Sequence, residues 1–234
     1  MTKNEKIFVI ACALGDGCIN KRYVNGYSCY RFLMKHSEKQ KDYFLYKAYQ
    51  LDQILGKKRK VPYTIYKNSG RSKINALQFE KNSNKYLKSI YNLIYKNGKK
   101  TYSKPLLNLL NEESLAIWYM DDGSLSHSTY KRKDGFEYYS KCRVTLNTYT
   151  NYEEALILQQ YFKKRWSINW NIQKTTTDTG KLFYRLSMGT REFRKFKKII
   201  EPYIHPSMYY KIHLKIGAEK VNSQRETSKV NTTR

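Results

Sequence analysis

The sequence predicts an α+β fold of two pseudo-symmetric αββαββα halves, with antiparallel sheets and two apolar helices packed at the central interface. Three observations predict it. The same order of helix and strand signals is written twice along the 234 residues. Each copy opens with an apolar helix that ends on an aspartate followed by glycine. Each then runs into a hairpin pattern, whose alternation has period two instead of the helical 3.6.

The first half opens with an apolar helix over Glu5 to Asp16. Asn25-Gly26, between Ile19–Val24 and Tyr27–Lys35, is a two-residue hairpin signal, since both central residues of that turn need positive φ. A helix is expected from Ser37, which with Gln40 gives the capping-box spacing S-x-x-Q. Phe44, Ala48, Leu51 and Leu55 form its apolar face. Two strands are expected near Val61–Tyr66 and Ile74–Phe79 around Asn68-Ser69-Gly70. A helix from Ser83 to Tyr95 and a basic segment, Lys96 to Lys104, close the half.

The second half repeats the order. A helix spans Glu113 to Asp122, and a long hairpin pairs Leu125–Tyr130 with Tyr138–Leu146. A helix starts at Thr150 with a second box, T-x-x-E to Glu153. Strands lie near Trp170–Lys174 and Leu182–Met188, flanking Asp178-Thr179-Gly180. A helix covers Thr190 to Ile200, followed by the segment Glu201 to Ile216. The expected units are therefore 1–104 and 105–216, related by a pseudo-twofold axis as in a fused homodimer. Residues 217–234 carry no aromatics and are expected to be a flexible tail.

Composition narrows the partner. Forty-five Lys and Arg against 19 Asp and Glu give a net charge of +26, which calls for a polyanion. Twenty-three tyrosines interleaved with those cations suit nucleic acid, where rings pack on bases and sugars. Part of the Tyr count fits an AT-rich genome, but codon bias does not require the charge. The longest apolar run, Ile7 to Leu14, is far short of the ~20 residues of a membrane span, so no membrane partner is expected. No CxxC pair or HExxH cluster is present, and four free thiols suit a reduced intracellular setting.

The paired carboxylates carry the chemistry. Leu14-Gly15-Asp16-Gly17 and Met120-Asp121-Asp122-Gly123 end the two opening helices. A carboxylate at a helix C-terminus faces the negative end of the dipole, at a cost of up to ~1 kcal/mol. Asp-Gly alone reads as a turn. Its duplication in equivalent settings reads as a placement for function. Ala11, Ala13 and Gly15 would let the two helices approach closely, bringing Asp16 and Asp122 together. Adjacent carboxylates repel unless a cation lies between them, and Mg²⁺ prefers oxygen donors and bridges to phosphate.

Val9-Ile-Ala-Cys-Ala-Leu-Gly-Asp16-Gly17 and Leu115-Ala-Ile-Trp-Tyr-Met-Asp-Asp122-Gly123 resemble the two copies of the LAGLIDADG motif. Arg143-Val-Thr-Leu-Asn147-Thr and Pro206-Ser-Met-Tyr-Tyr-Lys211 add to the likeness, which extends to about Ile216. The sequence is similar to the monomeric, two-motif LAGLIDADG homing endonucleases. It departs from the motif in having Leu14 at the first acidic position of copy one, and Ile117 and Trp118 where copy two should have Gly and Leu. The resemblance implies site-specific cutting of double-stranded DNA at a long asymmetric target, across the minor groove. It implies Mg²⁺, with Mn²⁺ substituting, held by Asp16 and Asp122, and active-site lysines at Lys100 and Lys211.

Lys100 and Lys211 also stand at corresponding places in the repeat, each after the third helix of its half. The sheets would form a DNA-binding saddle, since an antiparallel ribbon fits the major groove. Its candidate contacts are Arg22, Tyr23, Asn25, Tyr27 and Arg31 in the first half. In the second they are His127, Lys131, Arg132, Lys133, Lys141 and Arg143. Period two allows some of each set to face DNA and leaves the register open. Two further readings are an RNA-binding intron maturase on the same fold and a DNA-binding regulator without nuclease activity. Both would tolerate loss of the acids, and both acids are present. Met1 opens the chain and no His-Asn junction ends it, so a protein-splicing origin is not expected. The expected setting is an organelle, or a phage or bacterial cytoplasm.

Overall fold

The computed structural model describes residues 1–56, 58–69, 74–131, 133, 137–176 and 179–213, with the backbone alone at 68–69, 128–131 and 137–141. α1 (Lys3–Leu14) starts at a reciprocal capping box between Thr2 and Glu5. Every residue from Ile7 to Leu14 is buried, as expected of a helix surrounded by other elements. β1 (Gly17–Val24) and β2 (Tyr27–Ser37) pair around Asn25 and Gly26, whose φ values of 48° and 80° are those of the predicted turn.

The start of α2 (Lys41–Ile54) corrects the sequence reading. Ser37 caps a single 3₁₀ turn, Glu38–Gln40, by accepting from the Lys39 N–H. The Ser37–Gln40 capping box does not form, because the Gln40 amide is engaged by His36 and Tyr210. β3 (Tyr63–Ser69), β4 (Ile74–Asn82) and α3 (Asn84–Ile94) follow. The basic segment holds a small hairpin, β5 (Tyr95–Lys96) and β6 (Lys99–Lys100), turned by Asn97 and Gly98 at φ 52° and 74°. A short helix, α4 (Lys104–Leu107), leads into the second half.

α5 (Glu112–Asp122) is capped by Asn111 and, like α1, is buried along nearly its whole length. β7 (Gly123–Lys131) and β8 (Glu137–Thr150) form the long hairpin. The expected cap at Thr150 is also corrected: this residue ends β8, buried, with Oγ1 donating to the Tyr184 carbonyl at 3.3 Å. Asn151 caps α6 (Tyr152–Trp166) instead, accepting from the Glu154 N–H at 2.8 Å. β9 (Asn171–Thr176), β10 (Leu182–Gly189) and α7 (Thr190–Ile200) complete the repeat, and two 3₁₀ turns, Glu201–Tyr203 and Pro206–Lys211, follow. The expected tail, with Arg132 and Asp178, lies outside the described residues.

The two four-stranded antiparallel sheets have the same order, β1-β2-β4-β3 and β7-β8-β10-β9. Alternation puts Phe32, Met34 and His36 of β2, and Val144, Leu146 and Thr148 of β8, into the interior under the helices. α1 and α5 pack on each other between the sheets, in one apolar cluster that runs through both halves. Among the described residues no helix is long and apolar enough to cross a membrane.

Candidate active site and nucleic-acid face

The motif helices stop where glycine permits a close approach. A Cβ at Gly15 would overlap the Asp121 carboxylate of the other helix, and one at Gly123 would strike the Tyr119 ring. The chain leaves α1 through Gly15 and presents Asp16 just beyond the helix. The second motif ends at Asp122, the last residue of α5.

Three carboxylates therefore gather at one end of the helix pair. Burial, then the charge of Asp121, pushes the Asp16 carboxyl up to about 6. The same causes, with Asp16 added, push Asp122 up to about 7. Asp122 Oδ2 accepts from the Trp118 indole N–H at 3.1 Å, and Asn147 Nδ2 donates to the Asp122 carbonyl at 3.1 Å. Asp16 Oδ2 faces His36 Nε2 at 3.5 Å. Asp16, His36 and Asp121 offer ligand atoms all within 4.8 Å of one another.

Asp121 is fixed by partners from the first half. Its Oδ1 accepts from Lys47 Nζ at 2.5 Å, with both side chains fully buried, and its Oδ2 accepts from the Asp16 N–H at 3.1 Å. The Lys47 ammonium also lies 4.4 Å from the centre of the Tyr43 ring. Lone buried charges are strongly disfavoured, so this pair and its hydrogen bonds belong together.

Lys100 and Lys211 occupy equivalent posts. Lys100 Nζ donates to the carbonyls of Leu14, Gly15 and Gly17, the last at 2.9 Å. Lys211 Nζ donates to the Met120 carbonyl and, at 3.1 Å, to that of Asp121. Each ammonium thus satisfies the unpaired carbonyls at the end of one motif helix and opposes its negative dipole end. Burial lowers the pKa of both lysines. An open cleft of about 660 Å³ beside Lys100 is lined by that residue, Asp122, Asn147, Glu154 and Lys181 among others.

The strand register assigns the hairpin candidates to faces. Arg22 opposes Cys29 and Val24 opposes Tyr27, while Asn20 opposes Arg31. Arg22, Tyr27 and Arg31 therefore share the sheet face away from the core. Tyr23 opposes Ser28 on the other face, exposed at the hairpin tip, and Asn25 sits in the turn. Arg31 is held by Glu80 at 3.2 Å. In the second half Arg143 is exposed, opposite Ser126, and Lys133 is exposed in the loop. Lys131 and Lys141 lie in β7 and β8 by backbone, opposite Glu137 and Ser128.

Several site residues were not singled out from the sequence: His36, Lys47, Asp121, Asn147 and Arg185. A signal existed for two. Lys47 falls on the apolar stripe of α2, three residues after Phe44, where a charge needs a buried partner. His36 falls on the inward parity of β2. Arg185 is found from the structure alone: its NH1 lies 3.5 Å from Asn147 Oδ1 on the open face of the second sheet.

Two duplicated sheets joined by a central pair of acid-ended helices define a class of protein in which both halves build one site. A family model described as the LAGLIDADG DNA endonuclease family matches residues 8–196, and the chain belongs to that family. It is 27% identical over 212 residues to a Protein RecA of Mycobacterium shimoidei, covering 87% of this chain and 45% of that protein. The chain thus spans less than half the length of that relative. It is 21% identical over 221 residues to the DNA endonuclease I-ChuI of Chlamydomonas applanata, covering 91% and 95% of the two chains. Among solved structures, the homing endonuclease I-WcaI bound to its DNA recognition sequence superposes with a TM-score of 0.68. The identity there is 19%, over 92% of this chain and 88% of that one, a likeness of fold.

Proposed function

We propose that this protein is a site-specific double-strand DNA endonuclease that hydrolyses phosphodiesters with divalent metal held by Asp16 and Asp122. The observation that carries the reading is the junction of the motif helices. There each half contributes the last acid of its motif, Asp16 or Asp122, and one buried lysine at the end of its own helix. Family membership supports the class of reaction, and the relatives' names support the substrate. The units 1–104 and 105–216 act as the two halves of one monomer on a long asymmetric site.

The donor set fits a hard cation. Two carboxylates raised to about 6 and 7 by burial and by the charge of Asp121 are relieved by a divalent ion, and Mg²⁺ takes such oxygens, with Mn²⁺ substituting. Bound metal would supply an activated water and charge stabilisation on the attacking and leaving oxygens. The chain's own residues do the rest. Asp16 and Asp122 present one carboxylate toward each strand. Lys100 and Lys211, poor in solvent and tied to the helix ends, place positive charge beside the phosphates. Trp118 and Asn147 hold Asp122 in orientation. Arg22, Tyr27, Arg31 and Arg143 on the open sheet faces, with Lys131, Lys133 and Lys141 in the second hairpin, bind the duplex, and Arg132 is proposed with them from sequence alone. Asn25 and Tyr23 reach it from the first hairpin tip.

The test is cleavage of a DNA substrate carrying the gene's flanking sequences joined as an uninterrupted locus, in Mg²⁺. One double-strand cut is expected, lost in Asp16→Asn and Asp122→Asn while DNA binding persists. Tight binding without a cut by the unaltered protein would favour the regulator, and tighter binding of intron RNA than DNA would favour the maturase.

A further inference from the structure

We propose that the metal position of the first half has a nitrogen ligand, His36 Nε2, beside Asp16. It is then a site for divalent transition ions of the Co²⁺ class as well as for Mg²⁺. The inference deepens the metal-dependent reading above and rests on Asp16 being a ligand.

His36 is placed by strand parity on the inward face of β2, after Phe32 and Met34, and is 4% exposed. The rings of Tyr43 and Phe44, each 5.8 Å away by centroid, fix its plane. A histidine buried for packing alone would satisfy both ring nitrogens. This one satisfies Nδ1, which lies 2.9 Å from Gln40 Oε1. The Tyr210 hydroxyl can donate or accept and so does not set the Gln40 amide by itself; with the Gln40 nitrogen toward that hydroxyl, 3.1 Å away, its oxygen faces Nδ1. Nδ1 then carries the proton and Nε2 a lone pair. Nε2 is buried, has no hydrogen-bond partner among the described residues, and points at Asp16 Oδ2 3.5 Å away. In that tautomer the Nε2 lone pair faces the Asp16 carboxylate, and a cation between them relieves the repulsion.

The spacing suits one. Nitrogen and oxygen donors each ~2.0–2.2 Å from a common ion stand about 3–3.5 Å apart at tetrahedral or octahedral angles. The Gln40 contact is the arrangement by which a ligating imidazole is usually oriented, with its far N–H held by an acceptor. Asp121 is close enough to contribute but shares its charge with Lys47, so it is a weaker third donor. Imidazole in the donor set raises affinity along the transition series, whereas Mg²⁺ gains little from it.

The second half lacks this feature. Gly17 pairs with Met34 and Gly123 with Leu146, so the residue matching His36 is Thr148. Its hydroxyl bonds Thr150 and the Tyr184 carbonyl. Asp122 meets the Trp118 N–H where Asp16 meets His36. The two metal positions are chemically unequal.

The experiment is ¹H NMR of the full chain in water, titrated with Co²⁺ in the absence of DNA. The expected result is one strongly shifted, solvent-exchangeable resonance from the His36 Nδ1–H, absent in D₂O and absent in His36→Gln. Co²⁺ affinity should fall about tenfold or more in that variant, with Mg²⁺ affinity changed less than about threefold. Saturating Co²⁺ without such a resonance in the unaltered protein overturns the proposal, and so does its persistence in His36→Gln. Cleavage measured in parallel separates the readings. A cutting protein without the resonance retains the nuclease and loses the imidazole ligand. The resonance without cutting retains the ligand and loses the nuclease.

Discussion

At the scale of single residues, burial and the neighbouring Asp121 charge hold the site's two acids well above the ordinary carboxylate range. Asp16 and Asp122 titrate in the folded state at about 6 and about 7, against an ordinary value of 3.8. Between about pH 4 and 7 the native state therefore binds more protons than the unfolded chain, and metal-free stability falls as pH rises. Thermal melts in chelator are expected to lose stability from this source between pH 5 and 8, with the solvent-screened Asp16 contributing less than Asp122. Asp122→Asn should melt higher than the unaltered protein at pH 8 and show a flatter profile. A profile identical to that of the unaltered protein would show that the Asp122 carboxyl titrates normally. The lysines make a separate prediction. On the proposed mechanism, Lys100→Met or Lys211→Met removes a cation that acts on the phosphates and should slow single-turnover cleavage by roughly 10²-fold with DNA affinity little changed. An affinity loss of the same size would make them binding residues.

Between elements, the bond of greatest consequence joins α2 to α5. Lys47 and Asp121 are both fully buried, so Lys47→Met should strand a carboxylate and cost about 3–5 kcal/mol in chemical denaturation. The double variant Lys47→Met with Asp121→Leu should regain most of that stability. Failure to regain it would locate the loss in the Asp16 N–H that Asp121 also accepts. Elements with strong local patterns were legible from sequence. α7 spans Thr190–Ile200 as read, and the Asn25-Gly26 hairpin formed where expected. Where a cap residue had a rival partner, local reading failed. Gln40 turned to His36 and Thr150 to Tyr184, because a tertiary hydrogen bond in the interior outweighs a capping bond near solvent.

Over the whole molecule, duplication made the architecture legible and the site only in part. Asp16, Asp122, Lys100 and Lys211 could be picked out because they recur in equivalent places. His36, Lys47 and Asp121 break the repeat, and their partners lie in distant sequence: Lys47 and Asp121 are 74 positions apart, and Asp16 and Asp121 are 105 apart. Long-range electrostatics follows from the charge of +26 spread over both halves. DNA affinity should fall steeply with salt, by ~10³-fold or more between 50 and 200 mM for six or more phosphate contacts. A shallow slope in filter binding would place the target along a smaller surface than both sheets offer.

The meeting of Gly15 with Asp121 makes the two halves complementary and not interchangeable. Knob and hollow lie on different helices, and the lysine that neutralises the knob belongs to the half carrying the hollow. Two copies of the second half would set carboxylate against carboxylate with no ammonium between, and two copies of the first would leave an empty hollow and a stranded lysine. The halves are lock and key to each other and strangers to themselves. At this contact each half fits the other and cannot fit a second copy of itself, so the junction requires both halves together.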